Sequence, residues 1–166
     1  MLIKALPQII KVYPDVLYAI VGNGEEREAL LELVEERGLQ ENVLFMSEIS
    51  DAMMIQCYQQ CTVFALPNRT VDKDIEGFGM VLVEAQSCGK PVIAGDSGGT
   101  AETMVVGESG YVVDCTEPAP LAEKLIDMLG DRESLEKMGI EGRKHVVKNL
   151  DWKAHAEKAM QLFEAL

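Results

Sequence analysis

Short apolar runs alternate along this chain with longer segments whose apolar positions recur every three or four residues. The first pattern predicts buried β-strands and the second predicts amphipathic helices. Helical spacing is there from the start, in Leu2, Ile3, Ala5, Leu6, Ile9 and Ile10, with no strand before it. A helix without its preceding strand suggests a cut, and predicts an exposed sheet edge or apolar patch around Leu2, Leu6 and Ile10, open to self-association. Strands are predicted over 17–21, 43–46, 63–66, 91–94 and 110–113. The first runs through Gly22-Asn23-Gly24 into an acidic helix over 25–37, which Gly38 ends. The second leads to a helix carrying Met54, Tyr58 and Cys61, with Ser50 or Asp51 as its cap. A glycine-bearing turn at 76–79 feeds another helix, and a short one is predicted over 100–105. Three helices close the chain: 120–129 with Leu121, Leu125, Ile126 and Leu129 on its buried side, a charged stretch over 131–149, and 151–166 with Trp152, Ala156, Ala159, Met160 and Phe163 on one face.

Five short apolar strands alternating with helices imply an α/β fold, a doubly wound, Rossmann-like parallel sheet covered on both faces. Ligands of such sheets sit beyond the carboxyl ends of the strands. Here that edge is made by the loops at 22–24, 46–50, 68–79 and 95–99. The polar segment 68–75 reads as a surface loop beside the site. Gly22-Asn23-Gly24 begins like the dinucleotide fingerprint, yet Arg27 stands where the third glycine belongs, which argues against that kind of site.

At 166 residues the chain fits one domain, 1–166, with length for a sizeable core. Hydrophobic residues make up 48% and aromatic ones 5%, which suits an aliphatic core. A net charge of −13 argues against nucleic acid or an acidic membrane surface as the dominant partner, since both need clustered cations. No run reaches the length of a membrane span and the start lacks a signal-peptide pattern, so a cytoplasmic location is expected. Cys57, Cys61, Cys88 and Cys115 form no CxxC pair, and His145 and His155 lie far off. The cysteines are expected to be buried free thiols, and no metal site is predicted.

The chemistry concentrates at Glu76-Gly77-Phe78-Gly79-Met80-Val81-Leu82-Val83-Glu84. Gly77 and Gly79 allow a ligand close to the backbone, and a helix starting near Gly79 presents unpaired N–H groups to oxygens of a bound molecule. Glu76 lies in the loop above that helix, while Glu84 stands roughly 8 Å further along it at 1.5 Å per residue. Two carboxylates so placed suit hydroxyl groups on two rings of one ligand. The spacing is met equally well if Glu76 only favours the helix dipole and Glu84 is a solvated helix residue.

The segment from Glu76 to Ala85, with Cys88-Gly89-Lys90-Pro91-Val92-Ile93-Ala94 and Gly98-Gly99-Thr100-Ala101-Glu102 after it, resembles the retaining glycosyltransferases of family 4 (group 1). These enzymes have the GT-B architecture of two Rossmann-like domains. The likeness extends through Gly22-Asn23-Gly24, Asn42-Val43-Leu44-Phe45 and Gly110-Tyr111-Val112-Val113, and so over nearly the whole chain. The Asn68-Arg69-Thr70 loop and the run Ala94-Gly95-Asp96-Ser97-Gly98-Gly99 are most similar to mannosyltransferases that use GDP-mannose.

The resemblance implies the C-terminal, donor-binding half of such an enzyme. Glu84 would accept hydrogen bonds from ribose hydroxyls, and Glu76 would contact hydroxyls of the transferred sugar as the catalytic-site carboxylate. Phe78, Gly79, Met80 and Val81 would bind the sugar and diphosphate through their backbone. Met46, Ser47 and Ile49 would lie on the base-binding loop, where a plain turn is the alternative, and Gly22 would keep the floor open beneath the nucleotide. Arg69 reads as an exposed loop residue. The resemblance implies no cofactor and no metal, the nucleotide diphosphate sugar being the donor substrate. The sequence departs from the family at its start. The strand and the diphosphate-binding Arg and Lys that precede the first helix are absent, as is the acceptor domain, so the chain alone is expected to be inactive. Two other readings stand beside this one: a nucleotide-sugar epimerase of the same fold, whose acid and base residues have no place here, and a non-catalytic nucleotide-binding or assembly module.

Overall fold

The computed structural model describes residues 1–164. Seven α-helices and five strands alternate in the expected order: α1 Leu2–Ile10, β1 Tyr18–Val21, α2 Arg27–Glu36, β2 Val43–Met46, α3 Asp51–Gln60, β3 Phe64–Leu66, α4 Met80–Ser87, β4 Val92–Gly95, β5 Gly110–Val113, α5 Pro118–Gly130, α6 Arg132–Asn149 and α7 Trp152–Glu164. A 3-10 turn at Thr100–Thr103 follows β4. The last two residues of the helix expected over 151–166 lie outside the described residues.

Every strand pair is parallel. Tyr18 to Val21 pair with Val43 to Met46, Phe64 to Leu66 with Val92 to Ala94, and Val92 to Gly95 with Gly110 to Val113. The α/β class and the Rossmann-like winding therefore hold, but the five strands fall into two ladders, β1-β2 and β3-β4-β5. β1 and β3 are not hydrogen-bonded to each other. Each keeps one edge without a ladder partner among the described residues. β4, with a partner on each side, is buried along its length, whereas β3 is only half-buried.

Both ladders rest on one core. Ile20, Phe45, Ala65, Ile93 and Tyr111 pack with α1 and α5 in a single apolar cluster. Leu2, Ile3, Leu6 and Ile9 from α1 meet Leu121, Leu125 and Met128 from α5 in that cluster, and all seven are buried. The expected apolar patch around Leu2, Leu6 and Ile10 is therefore not there: α5 covers Leu2 and Leu6 and leaves Ile10 only half-exposed. What is left open is the sheet edge, at β1 and β3. The same burial explains how α1 persists through Pro7, which removes one backbone donor from the helix. Packing of an amphipathic face outweighs the lost bond.

A second cluster, built from Tyr58, Leu82, Ala85, Val92, Ala94 and Met104, lies between α3, α4 and β4. Below it Gln86 is fully buried and saturated, donating to the carbonyls of Leu82 and Thr103 while accepting from Ser109. This polar network ties α4 to the segment between β4 and β5, and so fixes the helix on which Glu84 stands.

Candidate functional site

Gly79 starts the site. It caps α4 with φ +84°, ψ +57°, a left-handed conformation that a side chain would strain. A Cβ there would also press on Leu82 Cδ1 at 2.9 Å and on the Leu66 and Thr100 side chains. The turn is thus wedged between β3 and the 3-10 segment. Leu82 N–H bonds the Gly79 carbonyl at 2.9 Å, while the N–H groups of Met80 and Val81 find no partner among the described residues. Of the side chains here, Met80 is exposed at 56% and Phe78 and Val81 are half-buried.

The segment Glu76–Gly77 is pinned from the other side by the loop after β4. Gly99 N–H donates to the Glu76 carbonyl at 3.3 Å. Gly98 has φ +65°, and a Cβ on it would overlap that same carbonyl; one on Gly99 would overlap the Gly77 carbonyl. Asn68 braces this loop, accepting from Gly95 N–H at 2.9 Å and donating to the Ser97 carbonyl at 3.0 Å. Thr70 and Ser97 share a hydroxyl hydrogen bond of 2.9 Å. Three stretches from different parts of the sequence, 68–70, 76–79 and 95–99, are thereby locked into one rim.

Glu84 projects from α4 and is exposed, with one carboxylate oxygen, Oε2, accepting the Tyr58 hydroxyl at 2.7 Å. Glu76 is half-buried in the rim. Gly22, Met46, Ser47 and Ile49 stand on the other ladder. Gly22 N–H bonds the Met46 carbonyl at 2.9 Å, which joins the loops after β1 and β2. Gly22 has φ +141° with nothing within 4 Å of the position of a Cβ, so space lies open there. Met46 and Ile49 are half-buried and Ser47 is exposed. The structure thus gathers Glu76, Phe78, Gly79, Met80, Val81 and Glu84 around α4, and gathers Gly22, Met46, Ser47 and Ile49 at the same carboxyl edge of the neighbouring ladder. No hydrogen bond joins the two groups among the described residues.

Arg69 is exposed, as the sequence reading has it. The site is an open edge rather than a closed cavity. Two surface depressions lie elsewhere, one lined by Tyr111, Lys124 and Met138 and the other by Gly89, Ile140 and Val147. Groups of three or more potential metal ligands are absent among the described residues.

Sequence reasoning placed the 68–79 loop at this edge but missed the brace that Asn68 makes to Gly95 and Ser97, and it missed Tyr58. Tyr58 has a signal that could have found it: a tyrosine on the buried side of a helix needs a partner for its hydroxyl. For Asn68 the only hint was a polar residue straight after a strand and Pro67.

Residues 1–145 match the family described as Glycosyl transferases group 1. Over 164 residues the chain is 37% identical to the GDP-mannose-dependent alpha-(1-6)-phosphatidylinositol monomannoside mannosyltransferase of Mycolicibacterium smegmatis, covering 98% of this chain and 43% of that protein. The chain thus spans less than half the length of this curated relative. Among solved structures it resembles Anabaena HepE in complex with UDP, with a TM-score of 0.84 and 25% identity over 99% of this chain and 44% of the other. It also resembles the C-terminal domain of a glycosyl transferase group 1 family protein from Francisella tularensis, with a TM-score of 0.77 and 26% identity over 90% of this chain and 77% of that one.

Proposed function

The chain belongs to the group 1 glycosyl transferases, and from that premise we propose that it is the donor-binding half of a retaining hexosyltransferase of GT-B architecture. Its donor is a nucleotide diphosphate sugar, with GDP-mannose the first candidate because the similar mycobacterial enzyme is named for that donor. The observation that carries this reading is the locked rim at Glu76–Val81. A left-handed glycine cap leaves the Met80 and Val81 N–H groups free, with one carboxylate on either side of them along the chain.

In this reading the free N–H groups meet the diphosphate and sugar oxygens. Glu76 accepts from hydroxyls of the transferred sugar and Glu84 from the ribose hydroxyls. Gly22, Met46, Ser47 and Ile49 face the base from the neighbouring ladder. Such a site works by holding the donor in one pose and stabilising the departing nucleotide diphosphate. The donor is a substrate, and no cofactor is part of the reading.

Residues 1–166 form one donor-binding domain, which takes a further strand at its open β1 and β3 edges and an acceptor-binding domain as partner. The diphosphate-binding cations come with that added strand, so the 166-residue chain alone transfers nothing. Self-association through the open edges is the substitute when that strand is missing. Nucleic acid and membrane contacts are no part of this half. Among the described residues no helix is long and apolar enough to cross a membrane, and a cytoplasmic location belongs to the same proposal.

The test is calorimetric titration of the chain, and of a version extended N-terminally by the further strand, with GDP-mannose, UDP-glucose and UDP-N-acetylglucosamine. Saturable heat for at least one donor, with discrimination among the three, supports the transferase reading. Binding without discrimination between sugars favours a non-catalytic nucleotide module, and binding of none by the extended form refutes the donor site.

A further inference from the structure

Tyr58 stands outside every role assigned so far. It lies on α3, 26 residues before Glu84, yet its hydroxyl donates to Glu84 Oε2 at 2.7 Å. Its ring is held in the small core beside Leu82 and Ala85, tilted against Phe64 with centroids 5.4 Å apart, and the residue is only 8% exposed. Glu84, by contrast, is exposed on its helix. A free glutamate there would sample several rotamers and lose that freedom on meeting a ligand. The pair joins an exposed carboxylate to a buried phenol.

We propose that Tyr58 is a positioning residue: its hydroxyl fixes the Glu84 carboxylate so that the remaining acceptor, Oε1, meets the vicinal hydroxyls of a ribose, and the site thereby selects ribonucleoside diphosphates over those lacking the hydroxyls. Oε1 makes no hydrogen bond among the described residues. With one oxygen held by the phenol, the plane of the carboxylate is set and the free oxygen is presented in one direction. Preorganisation of this kind raises affinity for the matching ligand by removing the ordering cost from the binding step. Burial first, and then the hydrogen bond to Glu84, push the phenol well above its usual pKa. Tyr58 therefore remains a donor throughout the neutral range, and the clamp does not open near pH 7.

The inference rests on the reading of Glu84 as the ribose acceptor, and the test separates the two. The affinities of GDP and 2′,3′-dideoxy-GDP are measured by calorimetry for the chain extended N-terminally by the further strand, as wild type, Glu84→Ala and Tyr58→Phe. The ratio of the two dissociation constants is the readout. The wild type is expected to prefer GDP by about tenfold or more, as hydrogen bonds to a charged acceptor allow. Glu84→Ala should bring the ratio near one.

Tyr58→Phe keeps the ring and its packing, and should lower the preference at least about threefold while leaving dideoxy-GDP affinity unchanged. A purely structural tyrosine would weaken both nucleotides alike or neither. If the wild type prefers GDP and Tyr58→Phe retains the full preference, the positioning role is overturned and the Glu84 assignment stands. If the wild type does not distinguish the nucleotides, or binds neither, the Glu84 assignment falls and the clamp with it.

Discussion

Gly98 shows how much of the site depends on one missing side chain. Its φ is +65° and a Cβ would overlap the Glu76 carbonyl. Gly98→Ala therefore combines left-handed strain with a collision against backbone that cannot swing aside, at a cost of about 2 kcal/mol or more. Gly24 is the control, since nothing lies within 4 Å of its Cβ position. Gly24→Ala should change stability by less than about 0.5 kcal/mol. Urea unfolding of the two variants checks both values, and equal midpoints would contradict the account of the rim. At this scale the Gly79 turn and the helix that starts at Met80 were legible because turn chemistry and helix starts leave local marks in a sequence, whereas spacing alone left the roles of Glu76 and Glu84 open. The Asn68–Gly95 brace and the Tyr58–Glu84 bond were not, since each joins residues 26 or 27 apart that only the fold brings together.

Among the elements, strands 43–46 and 110–113 were read to the residue, because short apolar runs bounded by polar turns have few alternatives. The helix expected over 100–105 contracts to a 3-10 turn at Thr100–Thr103. There the Thr100 hydroxyl donates to the Gly95 carbonyl and the Thr103 hydroxyl to that of Thr100. Such local side-chain bonds compete with a longer helix. α5 starts earlier than expected, at Pro118, because proline suits the first helical turn.

α7 differs from its neighbours. It carries an apolar face with Trp152, Met160 and Phe163, yet buries none of its residues, and Trp152 is 84% exposed. Deleting residues 150–166 should accordingly leave the unfolding midpoint within about 3 °C of the full chain, since little apolar area is removed from the core. Leu6→Ala in α1 serves as the comparison. This side chain is 1% exposed against α5, and its truncation should cost about 2–5 kcal/mol. Thermal unfolding followed by circular dichroism reads both. A large loss on deleting α7 would mean that the helix contributes to the core.

For the whole molecule, the sheet is the lesson. Alternating strands and helices announce a parallel, doubly wound fold, and both ladders obey it. The helix without a preceding strand pointed to an open sheet edge, but local patterning could not place that edge between β1 and β3, because strand neighbours are set by topology and not by any one segment. The split leaves the two halves of the site on separate ladders, bound through the shared α1–α5 core. The charge of −13 does not by itself argue against the anionic donor proposed for this edge. Local N–H donors at a helix start act over a few ångströms, whereas distant carboxylates are screened beyond roughly 8–10 Å in physiological salt. The central claim is that this edge holds a nucleotide sugar through the Glu76–Glu84 segment. The most direct measurement is the affinity of GDP-mannose for the wild-type chain and for Glu84→Ala by titration calorimetry. The account predicts a loss of about 1.5–3 kcal/mol, roughly 10- to 150-fold in dissociation constant, with the fold unchanged. Equal affinity in the two proteins would contradict it and return Glu84 to the solvated face of its helix.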